Sequence, residues 1–119
     1  MTMFAALLAP LLIQAAPAAS ADPVKNEDVR CLAVMAFATG NTKEQDRAGL
    51  VAGTMYFLGR IDARMPGLDY RAALRRLLTD EASLKAFSTE AVRCGAILEK
   101  RGGELQALGQ QLQQDAKAK

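Results

Sequence analysis

The chain contains no histidine and no tryptophan, and its aromatic content is four phenylalanines and two tyrosines. Without an imidazole there is no histidine base to activate a serine or cysteine nucleophile, and two lone cysteines do not make a zinc site. The scarcity of aromatics leaves little from which to build a large stacking pocket. No phosphate-cradling glycine loop, haem-attachment motif or serine elbow is present. No β-branched run alternates as a half-buried strand would. Charge of one sign is also missing, since 15 lysines and arginines face 13 aspartates and glutamates for a net charge of +2. A nucleic-acid binder carries a more concentrated basic footprint, so the reading expects no nucleic-acid partner, no cofactor and no metal.

The first 21 residues, MTMFAALLAPLLIQAAPAASA, hold no charged side chain. Their apolar centre runs from Phe4 to about Ala16 and ends in the small residues Ala19-Ser20-Ala21, the form of a secretory signal with its cleavage site. The positive residues that ordinarily precede such a centre are missing, and only the amino terminus supplies charge there. The run is too short for a bilayer-spanning helix, which needs about 20 apolar residues, and Pro10 and Pro17 interrupt it. Residues 1–21 are therefore expected to be removed, leaving a single mature domain over residues 22–119. The expected location is periplasmic or secreted, with no integral membrane span in the mature form.

Export changes how Cys31 and Cys94 are read, because thiols oxidise outside the cytoplasm. Two cysteines allow one pairing, and closing that loop stabilises a fold by about 4 kcal/mol in the chain-entropy model. The competing readings are a reactive thiol and two free buried thiols. Arg30 and Arg93 each precede a cysteine and would lower a thiol pKa. Against this, Cys94 lies on the apolar stripe Leu84, Phe87, Ala91, Cys94, Leu98, which has helical spacing.

The mature chain reads as consecutive helices. Asn26 followed by Glu27 and Asp28 marks a start, with a capping side chain and acids placed well on the helix dipole. That helix is apolar almost all round, stops at Gly40-Asn41, and is expected to be central. Thr42 and Gln45 have capping-box spacing for a second helix that reaches about Arg64, ahead of Pro66-Gly67. Its inward face is Leu50, Tyr56 or Phe57, Leu58 and Ile61, and Gly49 and Gly53 would let a neighbour approach closely. Asp69 caps a third helix with Leu74, Leu77 and Leu78 inward and Arg71, Arg75 and Arg76 outward. Thr79 or Asp80 caps a fourth, ending near Gly102-Gly103. Residues 104–119 then form a glutamine-rich, frayed helix with Leu105, Leu108 and Leu112 on one stripe. The expected fold is all-α, a small four- to five-helix bundle with one disulfide.

Two further clusters are candidates for function. Arg60, Arg64, Arg71 and Arg75 fall around the end of the second helix and along the third, a basic patch for an acidic partner, wall polymer or lipid surface. An ordinary solvated face is the competing reading. Asp62 and Asp69 flank the Pro66 turn and are the carboxylates an acid–base enzyme would use, although capping and solvation also explain them.

The layout of an exported signal, Cys31 within RCLAVMAFA, the glycine-bearing helix AGLVAGTMYFLGRIDAR and a second cysteine in AVRCGAIL resembles two groups of one-disulfide helical periplasmic proteins. These are the HdeA-type acid-stress chaperones and the immunity proteins that neutralise amidase toxins of type VI secretion. The resemblance covers about residues 31–98. It implies a protein that binds a protein partner through its helix faces, needs no cofactor and is not an enzyme. The glycine-rich second helix and the glutamine-rich tail depart from both groups, and no partner-contact residues carry over. The alternatives are a small cell-envelope enzyme or inhibitor using carboxylates near Asp62 and Asp69, and a structural protein of the envelope surface.

Overall fold

A computed structural model describes residues 22–118 of the chain; the leader reading on residues 1–21 lies outside the described residues. Among the described residues five α-helices follow one another: α1 Glu27–Asn41, α2 Arg47–Arg64, α3 Tyr70–Thr79, α4 Glu81–Lys85 and α5 Phe87–Lys117. There is no strand among the described residues. The fold is all-α, tied by one disulfide between Cys31 and Cys94.

Three of the helix starts follow from local side-chain chemistry. The Asn26 side chain accepts from Val29 N at 3.0 Å, Asp69 from Ala72 N at 3.0 Å and Asp80 from Ser83 N at 2.8 Å. Each satisfies a first-turn donor that has no partner within the helix. The expected capping box at Thr42 does not form. Thr42 instead closes α1: its hydroxyl donates to the Ala38 carbonyl at 2.6 Å, while Asn41 reaches the Phe37 carbonyl and Thr39 the Met35 carbonyl. The hydroxyl is turned back toward α1, and no backbone N–H of the following turn donates to its oxygen. The chain passes through a short 3-10 turn at Glu44–Asp46, and α2 begins at Arg47 with no side-chain cap.

Helix α1 is the centre of the molecule, packed by α2, α3 and α5. From Asp28 to Met35 it is buried apart from half-exposed Arg30, and the burial ends at Ala36. Its all-round apolar character is therefore used over the first two turns only. Phe57 and Ile61 of α2, Ala73 and Leu77 of α3 and Cys94 of α5 complete the core. Leu50, Leu58 and Leu74 pack at its edge, whereas Leu78, expected inward, is exposed.

The two candidate packing glycines of α2 differ. A Cβ at Gly53 would come within 2.6 Å of a Leu98 methyl carbon and 3.3 Å of the Met35 sulfur, so Gly53 is where α1 and α5 approach α2. At Gly49 a Cβ would meet nothing within 4 Å among the described residues. Gly67 has a different use: its φ of +81° turns the chain between α2 and α3, a conformation that glycine adopts without the Cβ penalty.

The expected break at Gly102-Gly103 is absent, and α5 runs unbroken for 31 residues. A glycine ends a helix by taking a left-handed conformation, and neither of these does. The expected continuous fourth helix is instead divided earlier, at Ala86, which separates α4 from α5. Leu84 therefore sits on α4, exposed, and does not share the stripe of buried Cys94 and partly buried Phe87, Ala91 and Leu98.

Paired alanine substitutions on α2 separate the two roles of glycine. Gly49→Ala should raise the melting temperature, since it gains up to about 1 kcal/mol of helix propensity at an open position. Gly53→Ala should raise it less than Gly49→Ala does, because displacing the Leu98 methyl and crowding the Met35 sulfur offset the same propensity gain. Thermal unfolding followed by circular dichroism checks both, and equal effects would contradict the packing described.

Candidate partner-binding surface

The disulfide joins α1 and α5 where both are fully buried, with the two Cα atoms 5.5 Å apart. The arginine that precedes each cysteine turns to the same carboxylate. Arg30 Nη2 donates to Glu90 Oε1, and Arg93 Nη2 donates to Glu90 Oε2 at 2.6 Å. Arg93 also donates to the Glu27 carbonyl at 3.1 Å. Glu90 precedes Cys94 by one helical turn and shares its face, which is why a sulfur bridge and an ion-pair clamp lie side by side. The Glu90 side chain is only 11% exposed. Burial pushes its carboxyl up, but the Arg93 and Arg30 guanidiniums outweigh burial and hold it below the usual glutamate range. Arg93 Nη2 also donates to the Cys31 sulfur at 3.2 Å, but that sulfur belongs to the disulfide, and no free cysteine exists among the described residues.

On one side of this clamp a groove opens between α1, α3, α4 and the start of α5, with a cavity of about 310 Å³. Ala33 and Val34 form its α1 wall, Leu77 and Leu78 its α3 wall, and Phe87 its end. Ala82 and Ala86 contribute only small side chains to its lining, and the turn at Ala86 separates α4 from α5. Arg30, Glu90, Lys25 and Asp80 edge the groove with charge. Asp80 is already engaged: the Ser83 hydroxyl and backbone N–H both donate to it, and the hydroxyl leads in holding its carboxyl below the usual range. The volume is at the lower end of the range in which small ligands or single side chains are held. Sequence reading did not find this groove. Its one local trace is the pair of alanines four apart, and the walls come from helices whose placement no local pattern specifies.

The four arginines of the expected basic patch divide into two pairs. Arg60 Nε donates to Asp28 Oδ1 at 3.0 Å, and Arg64 Nη1 lies 3.6 Å from Asp28 Oδ2. Asp28 is buried in the first turn of α1, so these two cations fasten α2 to α1. Arg71 and Arg75 are exposed on α3 and form no ion pair among the described residues. Of the two candidate carboxylates, Asp69 caps α3 and Asp62 accepts from the Tyr70 phenol. That hydrogen bond, followed by burial, raises the Tyr70 phenol above its ordinary value.

A second, cationic notch lies where α5 leaves the bundle. Arg60 and Arg101 both donate to the Tyr56 phenol oxygen, at 3.3 and 3.2 Å, and Ile97 and Lys100 complete a cavity of about 250 Å³. Burial pushes the Tyr56 phenol up, but the Arg101 and Arg60 hydrogen bonds outweigh it and bring the phenol below its ordinary value.

No protein-family model matches the chain, and comparison with curated proteins and with solved structures gives no match.

The Glu90 clamp has a testable pH signature. Because its pKa is lowered on folding, its contribution is fully present above the unfolded glutamate value of 4.5 and is lost as pH falls through the lower folded value. Glu90→Gln should cost about 2 kcal/mol at pH 7, where it strands two guanidiniums beside the core. Denaturant titration should show the gap between variant and parent narrowing as pH falls below 4.5 and closing through the lower folded value. A gap independent of pH would contradict the clamp.

Proposed function

We propose that the chain is a small exported, non-enzymatic helical protein that binds a protein partner in the periplasm, as a chaperone or an immunity protein does. The observation that carries this reading is the groove beside the Arg30–Glu90 pair, an apolar cavity of about 310 Å³ that opens at exposed Leu78. A cleft of that size and lining takes an apolar side chain of a partner, and the charged edge fixes its orientation. Supporting it are the uncharged apolar leader of residues 1–21 and the disulfide, which belongs in an oxidising compartment. Among the described residues, no helix is long and apolar enough to cross a membrane. The carboxylate alternative draws less support, since Asp62 is held by the Tyr70 phenol and Asp69 is committed to a helix cap.

Capture from a periplasmic extract by the immobilised, oxidised protein tests the reading, at neutral pH and after an acid shift. Ala82→Trp, which places a large ring in the groove mouth from an exposed position, should abolish capture of the same protein without changing the melting temperature. Capture of nothing specific, or capture unaffected by the tryptophan, would remove the groove as the binding site.

A further inference from the structure

In the cationic notch, Tyr56 and Arg60 stand one turn apart on α2, and Ile97, Lys100 and Arg101 face them from α5. Arg60 and Arg101 reach the Tyr56 phenol oxygen from different helices, at 3.3 and 3.2 Å, and the Arg60 guanidinium also lies 5.7 Å from the centre of the Tyr56 ring. The lining holds three cations and no carboxylate. A phenol oxygen is a neutral acceptor, so it does not offset the repulsion between two guanidiniums that converge on it. An anion seated between them does.

The carboxylates nearby leave a surplus of positive charge in place. Asp28 takes Arg60 Nε at 3.0 Å from the α1 side and divides its charge between Arg60 and Arg64. Glu104 takes Arg101 Nη1 at 2.7 Å. Lys100 is exposed and forms no ion pair among the described residues. Arg60, Arg64, Lys100 and Arg101 thus stand against Asp28 and Glu104, four cations to two carboxylates. Exposed Glu99 lies two positions before Arg101, on the other side of α5 from it; counted in, it still leaves the cations in excess. Asp62 of α2 is turned to Tyr70.

The donors left over define the class of anion. Nη2 of Arg60 and Nη2 of Arg101 make no hydrogen bond among the described residues, and the Lys100 ammonium and the Tyr56 hydroxyl proton add two more donors. One guanidinium fork is enough for a planar carboxylate, whereas four donors spread over two helices suit the oxygens of a tetrahedral anion. The cavity of about 250 Å³ is larger than a phosphate group alone, and Ile97 gives the rest of it an apolar wall. We propose that the notch of Tyr56, Arg60, Lys100 and Arg101 binds a phosphate group, free or carried on an organic ester such as a lipid headgroup. It shares no lining residue with the groove beside Glu90, so it stands apart from the protein-partner reading.

Calorimetric titration of the oxidised protein at constant ionic strength tests the notch, with inorganic phosphate, glycerol phosphate and acetate as soluble probes and phosphatidylglycerol vesicles as the lipid arm. Saturable binding at one site is expected. Uptake of the soluble phosphates assigns a soluble ligand, and binding of the vesicles alone assigns a lipid headgroup. Lys100→Gln and Arg101→Gln should each raise the dissociation constant about tenfold, since each removes a charged hydrogen bond. Arg71→Gln, which removes an exposed arginine of α3, should leave it unchanged. Lys100→Gln should melt at the parent's temperature in phosphate-free buffer, and saturation with the bound probe should raise the parent's melting temperature. No saturable binding of any phosphate probe would overturn the proposal, as would binding indifferent to both glutamine substitutions, or acetate bound as tightly as phosphate.

Discussion

The rest of the structure depends on the covalent tie between Cys31 and Cys94. It closes a separation of 63 residues between the first turns of α1 and the buried half of α5. The domain is small, and its largest fully buried side chains besides the two cysteines are Phe57, Ile61 and Val29. A core of that extent leaves a chain of this size near the margin of stability. Fixing the two segments covalently removes much of the unfolded ensemble and lets a modest apolar interior define the fold. The tie also sets the place of the ionic groups. With the cysteines in register, Arg30 and Arg93 meet on Glu90, while Asp28, one turn away, is left to Arg60 and Arg64. The first two turns of α1 are thereby bound to α5 by sulfur and charge, and to α2 by charge.

This arrangement accounts for the two very different halves of α5. Up to Leu98 its apolar face is covered by α1 and α2, and at Arg101 the Tyr56 phenol pins it to α2. Past that point the same face continues uncovered. A helix anchored covalently at one end and held by a side-chain hydrogen bond at the bundle edge is nucleated already, so its projecting part needs only propagation. The groove lies on the opposite side of the clamp, where α4 departs at Ala86. The clamp thus separates an apolar cleft from a projecting apolar arm.

What was legible in the sequence was local. Asn26, Asp69 and Asp80 cap helices through bonds to residues three positions on, and such bonds depend on nothing distant. The disulfide and the central position of α1 were also legible, the first because only one pairing exists and the second from the apolar content around Leu32 and Val34. Thr42 misled because its hydroxyl has two competing local partners, the donors ahead and the carbonyl behind, and the sequence does not rank them. Gly102-Gly103 misled because glycine permits a left-handed stop without requiring it, and leucine, glutamine and glutamate on either side favour continuing. The groove and the fate of Arg60 and Arg64 were not legible. Asp28 reads as an acid on a helix dipole, and only its burial against α2 reveals the arginines as its partners. Non-local packing decides such matters, and spacing within one segment carries no trace of it.

The central claim is that one sulfur bridge holds the fold, and thermal unfolding of the oxidised protein before and after reduction tests it most directly. Loss of about 4 kcal/mol from a domain of roughly 100 residues corresponds to a fall in melting temperature on the order of 15–30 °C. The account predicts such a fall once mass spectrometry shows both thiols free. A reduced protein that melts at the same temperature as the oxidised one would contradict it.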